Sequence, residues 1–318
     1  MVKKLITIGD LVLDIIFPVR LPVVGGQHQP VADRRIEPGG AANTVITARH
    51  LGLDVLVVGT IGSDVYGERI REPLAQTGAD CRFVVAAPDT ASTLVMTLTD
   101  RASGEHVFLG HYDDGPEMAY PDGLDEQIEA ADALFLSGYT LAEKRMAAVA
   151  TRALDHAHQH GVKIFMDVGP LLQMADQDQV KWALERTYLL LLTEEEAALV
   201  TQGKSGPEAY AELLLQGPTY AIVKRGAEGC TIVTAEWWLE FPGFPVEKVI
   251  DTVGAGDTFA AAYIAGVVHG LEIRECARLA NATGAACVQK IGCGTNAPTY
   301  DEIMAVLTTT GEAVNFLC

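Results

Sequence analysis

Asp251-Thr252-Val253-Gly254-Ala255-Gly256-Asp257 runs directly into an apolar, helix-forming stretch that begins at Thr258. Gly254, Ala255 and Gly256 therefore fall at a helix start, where unpaired backbone N–H groups and the helix dipole favour negative charge. Such a turn is an anion hole, able to stabilise charge that develops on a transferring group. Asp257 sets a carboxylate beside a site that prefers anions. A carboxylate placed to accept a proton from an attacking hydroxyl explains that arrangement. Anion hole and adjacent base together suit phosphoryl transfer to an alcohol. The plain alternative is a glycine-rich turn with an ordinary Asp near a helix start.

Three other segments carry polar groups where ligands gather. Gly39-Gly40 precedes a helical run and lets the backbone approach a ligand closely, while Asn43 can both donate and accept hydrogen bonds. Asp14, beyond the first apolar run, can accept from two vicinal hydroxyls. Thr193-Glu194-Glu195-Glu196 follows the apolar strand Tyr188–Leu192 and reads either as hard oxygen ligands or as an N-cap with helix-start acids. Lys224-Arg225-Gly226-Ala227-Glu228-Gly229 separates two strand-like runs, and Lys224 can reach a phosphate as a point charge.

The elements that must position these groups alternate. Leu5–Ile8, Val55–Gly59, Ala133–Leu136, Lys163–Met166, Tyr188–Leu192 and Ala221–Val223 read as buried strands. Ala42–Leu51, Asp64–Gln76, Leu141–His160 and Glu194–Thr201 read as helices between them, and Ala255–His269, Ile273–Gln289 and Tyr300–Leu307 make the last third helical. This rhythm predicts a mostly parallel sheet covered on both faces, with ligands beyond the carboxyl ends of its strands. Cys81–Ala86, Thr93–Thr99 and His106–Gly110 break the rhythm; with Ile15–Val19 they predict a small projecting sheet, a lid or an association surface. The expectation is a three-layer α/β/α sandwich over residues 1–318 as one domain, with a β lid from about 15–32 and 81–112.

Composition narrows the partners. The 318 residues carry 23 Lys+Arg against 42 Asp+Glu, a formal charge of −19, with 49% apolar residues. That much apolar content excludes a disordered chain. The acidic balance argues against nucleic-acid and membrane-surface partners, both polyanions. Six cysteines without a C-x-x-C pair read as reduced thiols, and the longest apolar span, Thr258 to Leu271, is too short for a bilayer, so a cytoplasmic location is expected.

The 251–259 segment, ending in Thr258-Phe259, resembles the C-terminal signature of the ribokinase-like (PfkB) carbohydrate kinases, and Pro38-Gly39-Gly40-Ala41-Ala42-Asn43 through Leu51-Gly52 resembles the N-terminal one. The resemblance implies ATP-dependent phosphorylation of a sugar-like hydroxyl, with Asp257 as base and Gly254–Gly256 holding the phosphoryl group. It implies that Asp14, Gly39, Gly40 and Asn43 contact the substrate, and that Lys224, Gly226, Gly229 and Asn281 line the nucleotide site. It further implies Mg²⁺ near Glu196, largely through water, and a monovalent cation such as K⁺ near Asp251. Two residues rather than the usual three separate the glycine pair from Asn43, and Thr193 stands where the family carries Asn. Asp167-Val168-Gly169-Pro170-Leu171 lacks the Asn and Arg of related sugar-acid and fructose kinases, which points to a neutral sugar or a nucleoside. A non-catalytic sugar- or nucleotide-binding regulator on the same fold is the other reading, and an exposed lid edge would favour a homodimer.

Several patterns lead elsewhere. Gly203-Lys204-Ser205 lacks the first glycine of a P-loop, since Ala198 stands in its place. Gly292-Cys293-Gly294-Thr295-Asn296-Ala297 fits a dinucleotide pattern but follows a helix instead of a strand. His156, His158 and His160 close a surface helix, an end that favours polar and cationic groups anyway.

Overall fold

The computed structural model describes residues 2–31, 33–104, 106–112 and 115–309. Ala32 and Glu105, within the expected lid segments, and Cys318 lie outside the described residues. The strands are β1 (Lys4–Ile8), β2 (Leu11–Val19), β3 (Arg35–Gly40), β4 (Asp54–Gly62), β5 (Asp80–Ala87), β6 (Thr93–Asp100), β7 (His106–His111), β8 (Ala133–Ser137), β9 (Lys163–Asp167), β10 (Leu189–Thr193), β11 (Tyr220–Lys224), β12 (Cys230–Val233) and β13 (Trp238–Phe241).

Nine of them form one sheet in the order β13-β12-β11-β10-β9-β8-β1-β4-β5. From β11 to β5 every pairing is parallel, and β12 and β13 close one edge as an antiparallel meander. Strand residues alternate between two buried faces, as period two requires. Leu5, Val55, Val57, Phe135, Phe165, Leu189 and Leu191 pack on the helices Ala41–His50, Ala255–His269 and Ile273–Cys287. Their neighbours Ile6, Leu56, Val58, Leu134, Met166 and Leu190 pack on Leu124–Glu129, Lys144–Gln159 and Gln177–Leu184. Two helical layers sandwich the sheet, as expected. Among the described residues no helix is long and apolar enough to cross a membrane.

The second sheet runs β3-β2-β6-β7, with β2 and β6 parallel and the outer pairs antiparallel. Its membership corrects the expected lid boundaries. Cys81–Ala86 belongs to β5, which pairs with β4 at the edge of the large sheet. The strand–helix–strand unit 54–87 returns it there by an ordinary crossover, and its outer face is half exposed because an edge strand has a neighbour on one side only. Its place in the small sheet is taken by Arg35–Gly40, whose Pro38-Gly39-Gly40 lacks strand propensity. At the sheet edge a proline costs no ladder bond.

Candidate active site

Parallel strands end on one side of the sheet, and five of them deliver a polar group there. Asp10 follows β1, Ser137 ends β8, Asp167 ends β9, Thr193 ends β10 and Lys224 ends β11. Ser137 pairs in register with Asp167, and Thr193 with Lys224. Facing them is the N-terminus of the helix Ala255–His269. Between lies a cleft of about 440 Å³, with Val12, Asp14, Val95, Phe108, Gly110 and Tyr112 of the small-sheet region forming one wall.

Asp257 occupies the first turn of that helix. Gly254 caps it at φ 78°, ψ −2°, a left-handed conformation that favours glycine, and a Cβ there would stand 2.3 Å from Cys293 Cβ. Asn43 Nδ2 donates to Asp257 Oδ2 at 2.8 Å, while its Oδ1 accepts from the Gly294 N–H at 2.8 Å. The Asn expected to touch substrate thus grips the candidate base. Burial pushes the Asp257 carboxyl up to about 6, against the lowering effect of the Asn43 bond.

Asp14 is buried on β2, and burial together with the charges of Asp257, Asp251 and Glu37 raises its carboxyl to about 7. A Cβ on Gly39 would come within 2.0 Å of Asp14 Oδ2. Gly39 leaves room for this carboxylate and is itself outside the cleft lining, whereas Gly40 lines it. Gly40, at φ 60°, caps the helix Ala41–His50, and a Cβ there would meet Asp10 Oδ2 at 2.5 Å. Asp10 is a site residue that sequence reasoning missed. Its Oδ1 accepts from Ser137 Oγ at 2.7 Å, and desolvation raises its carboxyl to about 8. Its place just past the first buried strand was the available signal, the same one that singled out Thr193.

Lys224 Nζ donates to both Asp167 oxygens, at 2.7 and 2.9 Å. The same ammonium lies 3.3 Å from where a Gly256 Cβ would be, so it abuts the N-terminus of the helix Ala255–His269. Burial pulls this ammonium down, but facing Asp167 and Glu196 outweigh it and keep it protonated. Glu196 lines the cleft, its carboxyl raised by burial. Its Oε2 accepts from the Thr193 N–H at 2.8 Å, and Thr193 Oγ1 accepts from the Glu196 N–H at 3.2 Å. Thr193 therefore completes a capping box in the place of the family's Asn.

Residues 2–300 match the family model described as pfkB family carbohydrate kinase. The chain belongs to this family. A 5-dehydro-2-deoxygluconokinase of Bacillus thuringiensis (strain Al Hakam) is 28% identical over 296 residues, covering 87% of each chain. Arabidopsis thaliana ribokinase, solved with ribose and ATP, superposes with a TM-score of 0.82 at 22% identity, covering 97% of this chain and 99% of that one. Burkholderia thailandensis nucleoside kinase, solved with inosine, gives 0.77 at 23% identity, with 96% of each chain covered. Both structures share the fold.

In this carbohydrate kinase the cleft gathers Asp14, Gly40, Asn43, Glu196, Lys224, Gly254, Gly256 and Asp257, with Ala255 between the last glycines at the first helical position. Other expected site residues stand apart from its lining. Asn281 is buried and donates to the Phe241 and Pro242 carbonyls at 3.3 and 3.1 Å, so it anchors the loop after β13. Gly226 and Gly229 shape the turn between β11 and β12, where the Arg225 N–H donates to the Gly229 carbonyl at 2.8 Å. Asp251 accepts from the Val253 and Gly292 N–H groups at 3.1 and 2.8 Å and from Thr99 Oγ1 at 3.3 Å. Each of its oxygens accepts at least one hydrogen bond, which holds this carboxylate against the Gly292 loop and β6.

Proposed function

We propose that the cleft transfers the terminal phosphoryl group of ATP to a hydroxyl of a neutral sugar or nucleoside, with Asp257 as the base. The observation that carries this reading is Asp257 clamped by Asn43 at the mouth of an anion hole that Lys224 abuts. Asp257 would take the proton of the attacking hydroxyl while Asp14 and Asp10 accept from neighbouring hydroxyls. The N–H groups of Gly254–Gly256, the helix dipole and the Lys224 ammonium would stabilise charge on the transferring group. Glu196 and Asp167 would supply the hard oxygens that suit Mg²⁺, whose charge would offset that of the nucleotide phosphates. The small sheet would act as a lid that excludes water and limits futile hydrolysis of ATP.

Neutrality of the acceptor is argued from the lining, which among the described residues includes Asp10, Asp14, Asp167, Glu196 and Asp257 and one cation. That cation, Lys224, is already held by Asp167. A carboxylate on the acceptor would meet acids and no free positive group, at the cost of an unpaired buried charge. The name of the Bacillus relative denotes a gluconate-type acceptor, and that is the second reading. The exposed apolar residues Val107 and Leu109 on the edge strand β7 favour pairing of two chains through the lid.

The test is ADP release on a panel of neutral sugars, nucleosides and sugar acids, with Asp257→Asn as the control. A neutral acceptor turned over by the wild type, and ~10²–10⁴-fold slower in Asp257→Asn, is expected for loss of a general base. Asp257→Asn turning over at the wild-type rate removes the mechanism, and exclusive turnover of sugar acids favours the second reading.

A further inference from the structure

Away from the cleft, Glu129, His156 and His160 bring one ligand atom each to within 4.8 Å of one another. His156 and His160 stand one turn apart at the end of the helix Lys144–Gln159, and Glu129 closes the neighbouring helix Leu124–Glu129. Glu129 Oε1 is 3.0 Å from His156 Nε2 and 3.6 Å from His160 Nε2. The two imidazole rings lie 4.2 Å apart between centroids.

The hydrogen bonds orient the rings. His160 Nδ1 lies 2.9 Å from the His156 carbonyl oxygen. A carbonyl can only accept, so Nδ1 carries a proton, which leaves Nε2, on the side of Glu129, as the ligand atom of this ring. A carboxylate oxygen set 3.6 Å from that nitrogen gives a cation placed between them, whether a proton or a metal ion, two ligand atoms. On His156 the ring nitrogen turned away from Glu129 lies 3.9 Å from Asp125 Oδ1, beyond hydrogen-bond range. Two imidazole nitrogens and a carboxylate oxygen form a borderline donor set suited to Zn²⁺. The two separations from Glu129, 3.0 and 3.6 Å, bracket the ~3.3 Å between ligands around a tetrahedral centre with bonds of about 2.0–2.1 Å. An all-oxygen ion such as Mg²⁺ is a poor match.

We propose that Glu129, His156 and His160 bind a divalent transition-metal ion of the Zn²⁺ class. The helix ends beside Gly161, and β9 begins at Lys163. The cluster therefore lies at the amino ends of the strands whose carboxyl ends build the cleft. A metal here clips the helix before β8 to the helix after it and takes no part in phosphoryl transfer.

The experiment is a calorimetric titration of Zn²⁺ into the full chain with Mg²⁺ in excess to occupy all-oxygen sites. Wild type, His156→Ala, His160→Ala, Glu129→Gln and His158→Ala are compared, and the metal-free melting temperature of each verifies its fold. The wild type is expected to bind one Zn²⁺ per chain at this site, with affinity falling at least tenfold in either histidine variant of the cluster and severalfold in Glu129→Gln. His158→Ala, on the same helix but outside the cluster, should match the wild type. Zn²⁺ should raise the melting temperature of the wild type and not of His160→Ala, as binding to the folded state alone requires. Wild-type binding no tighter than that of the His156→Ala/His160→Ala double variant, or an equal loss in His158→Ala, overturns the assignment.

Discussion

Asn43 shows how one side chain sets the chemistry of another. Its amide donates to the Asp257 carboxylate and so favours the ionised form that a base needs. With the carboxyl near 6, kcat should fall as pH drops through that value, because the protonated acid accepts nothing. Removing the bond in Asn43→Ala should lower kcat and move this acid limb upward by about 1–2 pH units, the worth of a hydrogen bond to a charged group. Profiles of kcat against pH for the two proteins check both effects. An unmoved limb would mean that Asn43 acts only through packing.

Asp10 makes a linked statement about stability. Its folded-state value of about 8 lies above the ordinary 3.8, so between these limits the folded chain holds a proton that the unfolded chain has lost. Stability from this group is present below about pH 4 and is lost as pH rises towards 8. Asp10→Asn should therefore raise the melting temperature by a few degrees at pH 8 and by little at pH 5. Thermal melts at the two pH values measure the difference. A gain of equal size at both would assign it to packing and not to the proton. The wild type keeps an ionisable group in a desolvated place, the usual cost of a functional carboxylate.

At the scale of elements, the small sheet and the 251–257 loop are tied together. Thr252 Oγ1 donates to the Gly104 carbonyl at 3.1 Å and lies 3.1 Å from His106 Nδ1, while Thr99 Oγ1 meets Asp251. The hairpin β6–β7 is thereby fastened to the segment that shapes the anion hole. Thr252→Val keeps the side-chain shape and removes the two contacts of Thr252, leaving that of Thr99. It is expected to raise ATP hydrolysis without acceptor severalfold, since a loosened lid admits water. ADP release in the absence of acceptor measures this, and an unchanged rate would detach the hairpin from control of the cleft. The β5 misplacement belongs to the same scale. Edge strands of a large sheet and strands of a small one share half-exposed alternation, and only the pairing partner separates them. Arg35–Gly40 escaped notice for the converse reason, because its strand geometry comes from pairing with β2 and not from its own residues.

For the whole molecule, a body of net charge −19 holds a site whose cations are few and local: a helix N-terminus and Lys224. The rest of the charge keeps the surface solvated, while the exposed apolar edge of β7 stands out against it. If two chains pair there, sedimentation should show a dimer that Leu109→Glu converts to monomer, with the cleft-lining Phe108 left untouched. A wild type that stays monomeric at high concentration removes the lid interface.

The sequence by itself determined the family and the layered α/β architecture and marked residues 251–257 as the candidate site, because each motif and each strand–helix alternation is legible locally. A helix start, a glycine turn and a neighbouring carboxylate are all read within seven residues. Thr193 with Glu196 was legible for the same reason, as a capping box spanning one helical turn. Only the tertiary structure decided that Asn43 holds Asp257, 214 positions away, that Lys224 pairs with Asp167 beside Gly256, and that Asp10 joins the cleft lining. It also brought Glu129 to a histidine pair that had looked like an ordinary helix end. Each of these rests on strand order and crossover, which bring remote residues within hydrogen-bond range and leave no periodic trace along the chain.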